Sequence, residues 1–348
     1  MLQEIEQQQT STSVLTLFSL LLDMYFSMSL QEAAHLGVAD HLRDGPRPVH
    51  ALAQELGVQE DMLQLLLRVL SSKDIFCEVE AGVFAHTELS RYLQTDIPGS
   101  MASMAEMIRA DWQRKMWTPE ALTYTLSTGK SAFEHIFGEG VWSYLSKRPA
   151  DYATLSKALT SLSTVLNETF AQVCGLSGLG SFVDVGGGEG SLLSALLRHY
   201  PGLTGTLFDL PAVAERASVH LTETSQAGRW TCLGGDFLQG VPAGADAYFL
   251  KQVLHDWSDK SCLQILRNCR QAIAAGGKLF IIEYILPEPP NKPDPFIIMS
   301  MVLRQSNQQG QQRTASQLCA LLERAGFEFV RLTATNSDNS ILEARACS

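Results

Sequence analysis

The sequence predicts an α/β protein with a doubly wound parallel sheet, preceded by a mainly helical amino-terminal region of winged-helix type. Short apolar segments alternate with helical segments from about residue 181 onward, which is the pattern of a parallel sheet covered by helices. Residues 12–100 are instead helical with short polar breaks and end in a hairpin pattern around Gly82. At 348 residues and 45% apolar composition, the chain is long enough to bury two unequal cores.

The first predicted domain, residues 1–100, combines three helices with a small hairpin and a further short helix. The expected helices are 28–43, 48–57, 60–76 and, after the hairpin at 76–90, 88–93. A DNA-binding helix-turn-helix would fit this order, but the region carries 14 acidic residues against 5 basic ones, which would repel DNA. We therefore expect a structural or dimerising domain. Its apolar helices at 12–40 are too rich in Leu, Phe and Met to remain in water, which predicts a homodimer.

The second predicted segment, residues 101–175, is a helical connector dense in Met and aromatic side chains. Met104, Met107, Trp112 and Trp117 either fill a core or line a pocket for a flat organic ligand. We expect core filling for single residues and pocket lining for the segment as a whole.

The third predicted domain, residues 176–348, alternates strands with helices. The expected strands are 181–186, 204–210, 245–253 and 278–286, and the expected helices are 190–199, 211–225, 259–275 and 315–325. The Gln- and Asn-rich tract 305–312 is expected to be a surface loop, either part of a lid or a plain connection. In such a sheet, ligands bind at the carboxyl ends of the strands.

A glycine-rich loop follows the first of these strands, in 183-VDVGGGEGSLLSALLRHY-200. Glycines there let a ligand lie against bare main chain at the amino terminus of the next helix. The dinucleotide motif G-x-G-x-x-G, begun at Gly186 and Gly188, would need glycine at Ser191 and therefore fails. The acid at Asp184 would disfavour a pyrophosphate and suit a ligand that carries a sulfonium and an ammonium group. Glycine could also serve the tight turn alone.

Two further strands end in acidic residues. Asp209 lies 19 positions after Gly190, where a carboxylate can accept both ribose hydroxyls, although it could simply cap the helix after Pro211. In 234-GGDFL-238, Asp236 can accept from an adenine amino group and Phe237 can cover the ring. Three acids at successive strand ends are hard to explain by structure alone.

The segment 250-LKQVLHDWSD-259 is the most specific stretch of the chain. Lys251 and His255 are four residues apart and share a face if a helical turn follows the strand. A lone histidine is usually structural. Here Glu283, inside the apolar run 278-KLFIIEYIL-286, ends at the same edge and must be paired to be tolerated.

The segments VDVGGGEGSLL, LFDLP, GGDF, LKQVLHDWSD and GGKLFIIEYILP, with a late G-x-x-R-T, resemble the class I small-molecule O-methyltransferases of the caffeic acid and hydroxyindole type. The resemblance covers nearly the whole chain, including a winged-helix dimerisation domain. It implies a Rossmann-like domain that binds S-adenosylmethionine through the glycines at 186 and 188, Asp209 at the ribose, Asp236 and Phe237 at the adenine, and Lys251. It also implies His255 as general base with Glu283 beside it.

The expected reaction moves a methyl group to a hydroxyl of a small aromatic or polyketide-like natural product. A neutral imidazole with an ordinary pKa near 6.5 would take the proton of the hydroxyl. The chain departs from the family at Gln312, in 310-GQQRT-314, where relatives commonly carry a second Glu beside the base. The alternative is therefore a non-methylating enzyme on the same scaffold, a pericyclase, decarboxylase or hydroxylase. A nicotinamide dehydrogenase and a transcriptional regulator are the remaining alternatives.

Composition limits the partners and the compartment. A formal charge of −11 disfavours nucleic acid as a partner. Seven scattered cysteines without C-x-x-C suggest neither disulfides nor a metal site, which fits the reducing cytoplasm. The apolar run Val14–Leu22 is preceded by acids and is too short to span a bilayer, so no membrane partner is expected.

Overall fold

The chain forms two compact units, of which the first ends at Arg114 and the second begins at Lys115. The computed structural model describes residues 2–222, 228–288, 294–307, 309–335 and 339–347. The division between the units lies inside the connector predicted for 101–175. The start of that connector belongs to the first unit because its first helix packs on the long amino-terminal helix and buries Ala105 in the core of that unit.

The first unit is mainly helical, with a small sheet in the order β1-β3-β2. The antiparallel pair β2 and β3 turns at Gly82, so the expected hairpin is confirmed. The helices are α1 Leu2–His35, α2 Val38–His41, α3 Val49–Leu56, α4 Glu60–Ser71, α5 Glu88–Arg91 and α6 Ala102–Arg109, and the strands are β1 Arg47–Pro48, β2 Phe76–Glu80 and β3 Val83–His86.

The helix predicted over 28–43 is instead the end of α1 followed by the short α2. Gly37 separates them with φ of 69°, a conformation that interrupts a right-handed helix. Beneath them, α3, α4 and the hairpin bury Leu52, Leu67 and Phe84 in one apolar core. The apolar positions that recur every three to four residues along α3 and α4 therefore form the core of this unit, as the helical periodicity of the sequence indicates.

Helix α1 exposes a long apolar surface. Leu17, Leu21 and Tyr25 are each 60% or more exposed. By length and composition alone, its part Thr12–His35 is long and apolar enough to cross a membrane. The apolar part of the helix is therefore longer than the nine-residue run Val14–Leu22, which by itself is too short for this. A helix whose apolar face packs on another protein chain meets the same two criteria.

Helix α7, Asp111–Met116, crosses the division between the units, and the second unit contains the large sheet. Its helices are α8 Pro119–Thr128, α9 Ala132–Phe137, α10 Val141–Ser146, α11 Pro149–Val173, α12 Ser191–His199, α13 Pro211–Thr222, α14 Asp259–Ala272, α15 Ile298–Ser306 and α16 Ala315–Ala325. Its strands are β4 Ser181–Val185, β5 Thr204–Asp209, β6 Trp230–Gly234, β7 Ala247–Lys251, β8 Lys278–Leu286, β9 Arg313–Thr314, β10 Phe327–Ala334 and β11 Asn339–Ala346.

The sheet has the order β10-β11-β8-β7-β4-β5-β6, with β9 attached to the end of β8. Strands β4 to β8 are parallel, whereas β10 and β11 form an antiparallel edge. One apolar cluster around Leu266 and another around Leu196 each bury part of the sheet with its packed helices. The predicted doubly wound sheet is confirmed, and its register brings the carboxyl ends of β4, β5, β7 and β8 to one edge.

Local predictions in this unit have three different outcomes. The loop expected over 305–312 begins two residues later, because α15 continues to Ser306 and buries Gln305 completely; residue 308 lies outside the described residues. The hairpin β10–β11 was not expected. The helix predicted over 211–225 is α13, and residues 223–227 lie outside the described part of the chain.

Candidate active site

The glycine-rich loop links β4 to α12 at the carboxyl edge of the sheet. Gly186, Gly188 and Gly190 have φ of 71°, 56° and 81°, which other residues rarely adopt. A Cβ atom on Gly186 would lie 2.8 Å from Cγ2 of Val253 and 3.7 Å from Cε1 of Phe237, whereas one on Gly188 would meet nothing within 4 Å. The loop is therefore tightly packed at Gly186 and leaves open space at Gly188.

Two opposite charges are buried at the ends of β4 and β7. Asp184 is 1% exposed, and its Oδ2 has no hydrogen-bond partner among the described atoms. Nζ of Lys251 donates to Oγ of Ser163 in α11 at 2.8 Å. Burial raises the pKa of Asp184 and lowers that of Lys251, while each charge opposes the shift of the other. The unpartnered carboxylate oxygen can accept from a cationic ligand group.

Asp209 ties the glycine-rich loop to the end of β5. Its Oδ2 accepts from the backbone N–H of Gly188 at 2.9 Å, and its Oδ1 accepts from that of Leu210 at 2.7 Å. Burial raises the pKa of the Asp209 carboxyl group. Each of its oxygens keeps a further lone pair, so both remain able to accept from hydroxyl groups of a ligand.

Asp236 and Phe237 lie beside Asp209, because the N–H of Gly235 donates to the backbone oxygen of Asp209 at 2.9 Å. The carboxylate of Asp236 is exposed and accepts from the N–H of Leu238 at 2.8 Å. The Phe237 ring contacts Trp257 edge to face, with ring centroids 5.6 Å apart. The structure thus brings the predicted adenine, ribose and glycine positions to one edge of the sheet.

A polar cluster at the glycine-rich loop was not found from the sequence. Glu189 accepts from Oγ of Ser156 at 3.1 Å and lies 3.6 Å from Nε of Arg216. The Arg216 guanidinium lies over the Tyr152 ring, 4.3 Å from its centroid. These contacts join α11, α13 and the loop. No spacing in the sequence indicates them, since the residues are far apart along the chain.

His255 lies in a single 3-10 turn, Leu254–Asp256, that follows β7. Its Nδ1 is 2.8 Å from Oε2 of Glu283 in β8, and its Nε2 is 3.8 Å from Oδ1 of Asp256. The histidine side chain is 18% exposed and that of Glu283 only 3%. The ring can therefore be reached by a ligand while its partner carboxylate is enclosed.

The charge of Glu283 changes the acidity of the ring. Burial alone would lower the pKa of His255, but the nearby Glu283 carboxylate outweighs it and raises that pKa to about 9. The pKa therefore lies above the ordinary value near 6.5 that we expected. The contact with Glu283 makes the imidazole a stronger base than expected and favours its protonated form.

Gln312 follows directly after a residue that contacts this turn, although the two segments are more than fifty residues apart along the chain. The neighbouring N–H of Gln311 donates to the backbone oxygen of His255 at 2.7 Å, and Oε1 of Gln312 accepts from Oγ of Ser300 at 3.1 Å. The side chain is 6% exposed. It is therefore a buried neutral group.

The chemistry of these residues fits S-adenosylmethionine. Carboxylates at the ends of β4, β5 and β6 match its ammonium, ribose and adenine groups, and the open glycine position admits close approach of main chain. In the part of the chain that the structure describes, no three His, Cys, Asp or Glu side chains are grouped to hold a metal ion.

Comparison with known proteins gives two family matches. The O-methyltransferase domain matches residues 120–328, and the O-methyltransferase dimerisation domain matches residues 18–96. The second match supports a homodimer.

Relatives match over nearly their full length. The chain is 37% identical to phenazine O-methyltransferase PhzM of Lysobacter antibioticus over 94% of this chain and 96% of that protein. It is 34% identical to the mitomycin biosynthesis 6-O-methyltransferase of Streptomyces lavendulae, over 87% and 86%. The structure of human N-acetylserotonin methyltransferase in complex with S-adenosylmethionine is similar with a TM-score of 0.87 and 28% identity, over 97% of this chain and 98% of that one. The chain belongs to the S-adenosylmethionine-dependent O-methyltransferases, and it carries both the catalytic and the dimerisation domain of that family.

Proposed function

We propose that His255 is the general base of this O-methyltransferase and removes the proton of the acceptor hydroxyl. The observation that carries the proposal is the 2.8 Å contact between Nδ1 of His255 and the enclosed carboxylate of Glu283. This contact holds the Nδ1 proton and leaves Nε2 to accept the proton of the acceptor. Glu283 then stabilises the imidazolium that forms.

Around the base, the chain's own residues bind and orient the cofactor. S-adenosylmethionine, when bound, supplies an electrophilic methyl group. We assign Asp209 to the ribose hydroxyls, Asp236 and Phe237 to the adenine, and Lys251 with the glycines at 186 and 188 to the remainder. Because methyl transfer depends mainly on alignment, residues that hold the acceptor oxygen and the base in place contribute most to the rate.

The acceptor is proposed to be a hydroxyl on a small aromatic or polyketide-like molecule. The relatives are named for phenazine, mitomycin and naphthoate substrates. In the second unit, Trp117 and Trp142 of the helical connector leave 39% and 46% of their surface exposed, which supports the expected lining of the pocket by this segment. Trp112 and Met107 are buried and fill a core.

The neutral side chain of Gln312 is the observation that favours the second candidate function, a non-methylating enzyme on the same scaffold. Its buried amide adds no charge beside His255, so the imidazolium has one carboxylate fewer than in relatives with Glu at this place. On this alternative the scaffold would bind the cofactor and catalyse a pericyclic step, a decarboxylation or a hydroxylation. Product formed without release of S-adenosylhomocysteine would favour it.

His255→Ala tests the base directly. We expect kcat to fall about 10²- to 10⁴-fold while the Kd for S-adenosylmethionine, measured by calorimetry, stays within about twofold. His220→Ala, a change of the same kind on the exposed surface of α13, is the control and should leave both values unchanged. Unaltered turnover of His255→Ala would overturn the proposed role.

The proposed compartment is the cytoplasm. The family assignment is consistent with a soluble biosynthetic enzyme. All seven cysteines have free thiols, which fits a reducing environment.

A further inference from the structure

The turn that carries His255 is held from outside by a segment that consists of Asn307 and residues 309–313, in addition to weaker contacts from Sγ of Cys262 to the oxygens of Leu254 and Trp257. Four successive backbone oxygens of the turn each accept a hydrogen bond from this segment. The oxygen of Leu254 accepts from Nη1 of Arg313 at 3.0 Å, that of His255 from the N–H of Gln311 at 2.7 Å, that of Asp256 from Nδ2 of Asn307 at 2.8 Å, and that of Trp257 from Nη2 of Arg313 at 2.8 Å.

The turn needs such support because it is short and begins in an unfavourable conformation. A three-residue 3-10 turn has few internal hydrogen bonds, here Asp256 to Val253 and Trp257 to Leu254, both at 3.2 Å. Gln252, just before it, has φ of 54°, which is costly for a residue with a side chain. The orientation of the imidazole depends on the backbone of this turn, because its ring is joined to Glu283 across a single 2.8 Å contact.

Arg313 contributes two of the four contacts and is itself 3% exposed. Its Nε also donates to Oδ1 of Asp259 at 2.9 Å, and Nη1 donates to the oxygen of Gln311 at 3.1 Å. The planar guanidinium can reach two carbonyl groups and a carboxylate at once, whereas a lysine ammonium is a single point of donation. The carboxylate of Asp259 balances the buried charge.

We propose that Arg313 is a positioning residue for His255: its guanidinium fixes the Leu254–Trp257 turn so that the imidazole stays against Glu283 and presents Nε2 to the acceptor. Asn307 and the N–H of Gln311 complete the support. This inference rests on the proposed role of His255 as general base.

Arg313→Lys keeps the positive charge and removes the planar guanidinium that donates to several acceptors at once. We expect kcat to fall roughly 10- to 100-fold, since displacement of a catalytic group by about 1 Å has effects of this size. The KM for S-adenosylmethionine should change little, because no contact of Arg313 reaches the glycine-rich loop or Asp209 among the described residues.

Arg229→Lys is the matched control. Arg229 also binds backbone oxygens through its guanidinium, those of Leu197, Tyr200, Pro201 and Leu203, and it does so at the opposite edge of the sheet. Both variants should lower the melting temperature. Only Arg313→Lys should lower kcat per folded molecule. Equal kcat in the two variants would mean that Arg313 has a purely structural role and would overturn the inference.

Asn307→Ala covers the case in which Arg313→Lys does not fold, because it leaves Arg313 in place and removes the contact to the oxygen of Asp256, together with the hydrogen bond that Oδ1 of Asn307 accepts from the N–H of Gln309 at 3.0 Å. We expect a threefold to tenfold fall of kcat, on the order of one lost hydrogen bond, with the KM for cofactor unchanged. Full activity of Asn307→Ala would then contradict the claim that hydrogen bonds to the Leu254–Trp257 turn position His255. If His255→Ala is inactive and the Arg313 and Asn307 variants are fully active, His255 remains the proposed general base and the positioning role of Arg313 is wrong. If His255→Ala is active, both the general-base proposal and the positioning proposal are wrong.

Discussion

For single residues, the reactivity of the site depends on the balance between burial and two nearby carboxylates. Burial disfavours the charged form of His255, whereas Glu283 at 2.8 Å and, to a smaller extent, Asp256 at 3.8 Å together favour it more strongly. The raised pKa favours the imidazolium, so at any pH below that pKa the neutral base is the minor form. Its fraction rises about tenfold with each pH unit in that range.

We therefore expect NMR titration of the ligand-free protein to give His255 a pKa near 9. In Glu283→Gln, burial acts without its main opposing charge, and the pKa should fall toward or below the ordinary 6.5. The kcat of this variant should also fall, because the imidazolium formed during the reaction loses its partner. The same pKa in both proteins would show that the carboxylate does not control the ring.

Gln312→Glu tests the departure from the family at the same scale. A second buried carboxylate beside the turn should raise the pKa of His255 further and move the rising limb of the pH–rate profile to higher pH. Gln309→Glu adds the same charge at an exposed position of the segment and should leave the profile in place. An unshifted profile in Gln312→Glu would mean that residue 312 does not act electrostatically on the base.

Among the secondary-structure elements, the positions of residues at strand ends could be predicted from the sequence, whereas contacts between segments far apart along the chain could not. Asp209, Asp236 and His255 each follow an apolar strand, and parallel strands place such residues at one edge by geometry alone. The sequence shows Arg313 as part of the motif 310-GQQRT-314 but does not indicate what it contacts. Its contacts to Leu254 and Trp257 join segments more than fifty residues apart. No local pattern indicates such a contact.

The tract 305–312 shows how tertiary contacts override composition. Its Gln and Asn content predicts a loop, yet Gln305 closes α15 and is completely buried. Its Nε2 donates to the oxygen of Met116 at 3.0 Å, its Oε1 accepts from Thr125, and its backbone oxygen accepts from Ser131 at 3.0 Å. With all these groups paired, burial of the amide costs little, and only the packed structure reveals it.

Gly186→Ala tests the packing of the glycine-rich loop. The added methyl would lie 2.8 Å from Val253 at φ of 71°, so we expect a loss of roughly 2–4 kcal/mol in unfolding free energy and weaker binding of S-adenosylmethionine. Gly129→Ala is the control, because its φ is 68° and nothing lies within 4 Å of the added Cβ. It should cost about 1 kcal/mol, from backbone strain alone. Equal losses in chemical denaturation would exclude the contact with Val253 as the cause.

At the scale of the whole molecule, α1 explains why the chain needs a second copy. Its exposed Leu, Met, Phe and Tyr side chains form an apolar surface along a helix that overlaps the dimerisation-domain match at residues 18–96. Burial of such a surface is worth about 25 cal/mol for each Å² removed from water, and the surrounding domain is strongly acidic. We therefore expect apolar contact, rather than charge, to hold two such acidic domains together.

The double variant Leu21→Glu/Tyr25→Glu tests this surface. The two side chains are 67% and 60% exposed and lie one helical turn apart, so in a symmetric dimer the change places four carboxylates in the interface. We expect sedimentation to show a dimer for the wild type and a monomer for the variant, with unchanged helical content by circular dichroism. Val219→Glu, 67% exposed on α13, should remain dimeric. A monomeric wild type that instead co-sediments with lipid vesicles would show that the apolar length of α1 binds a membrane and not a second chain.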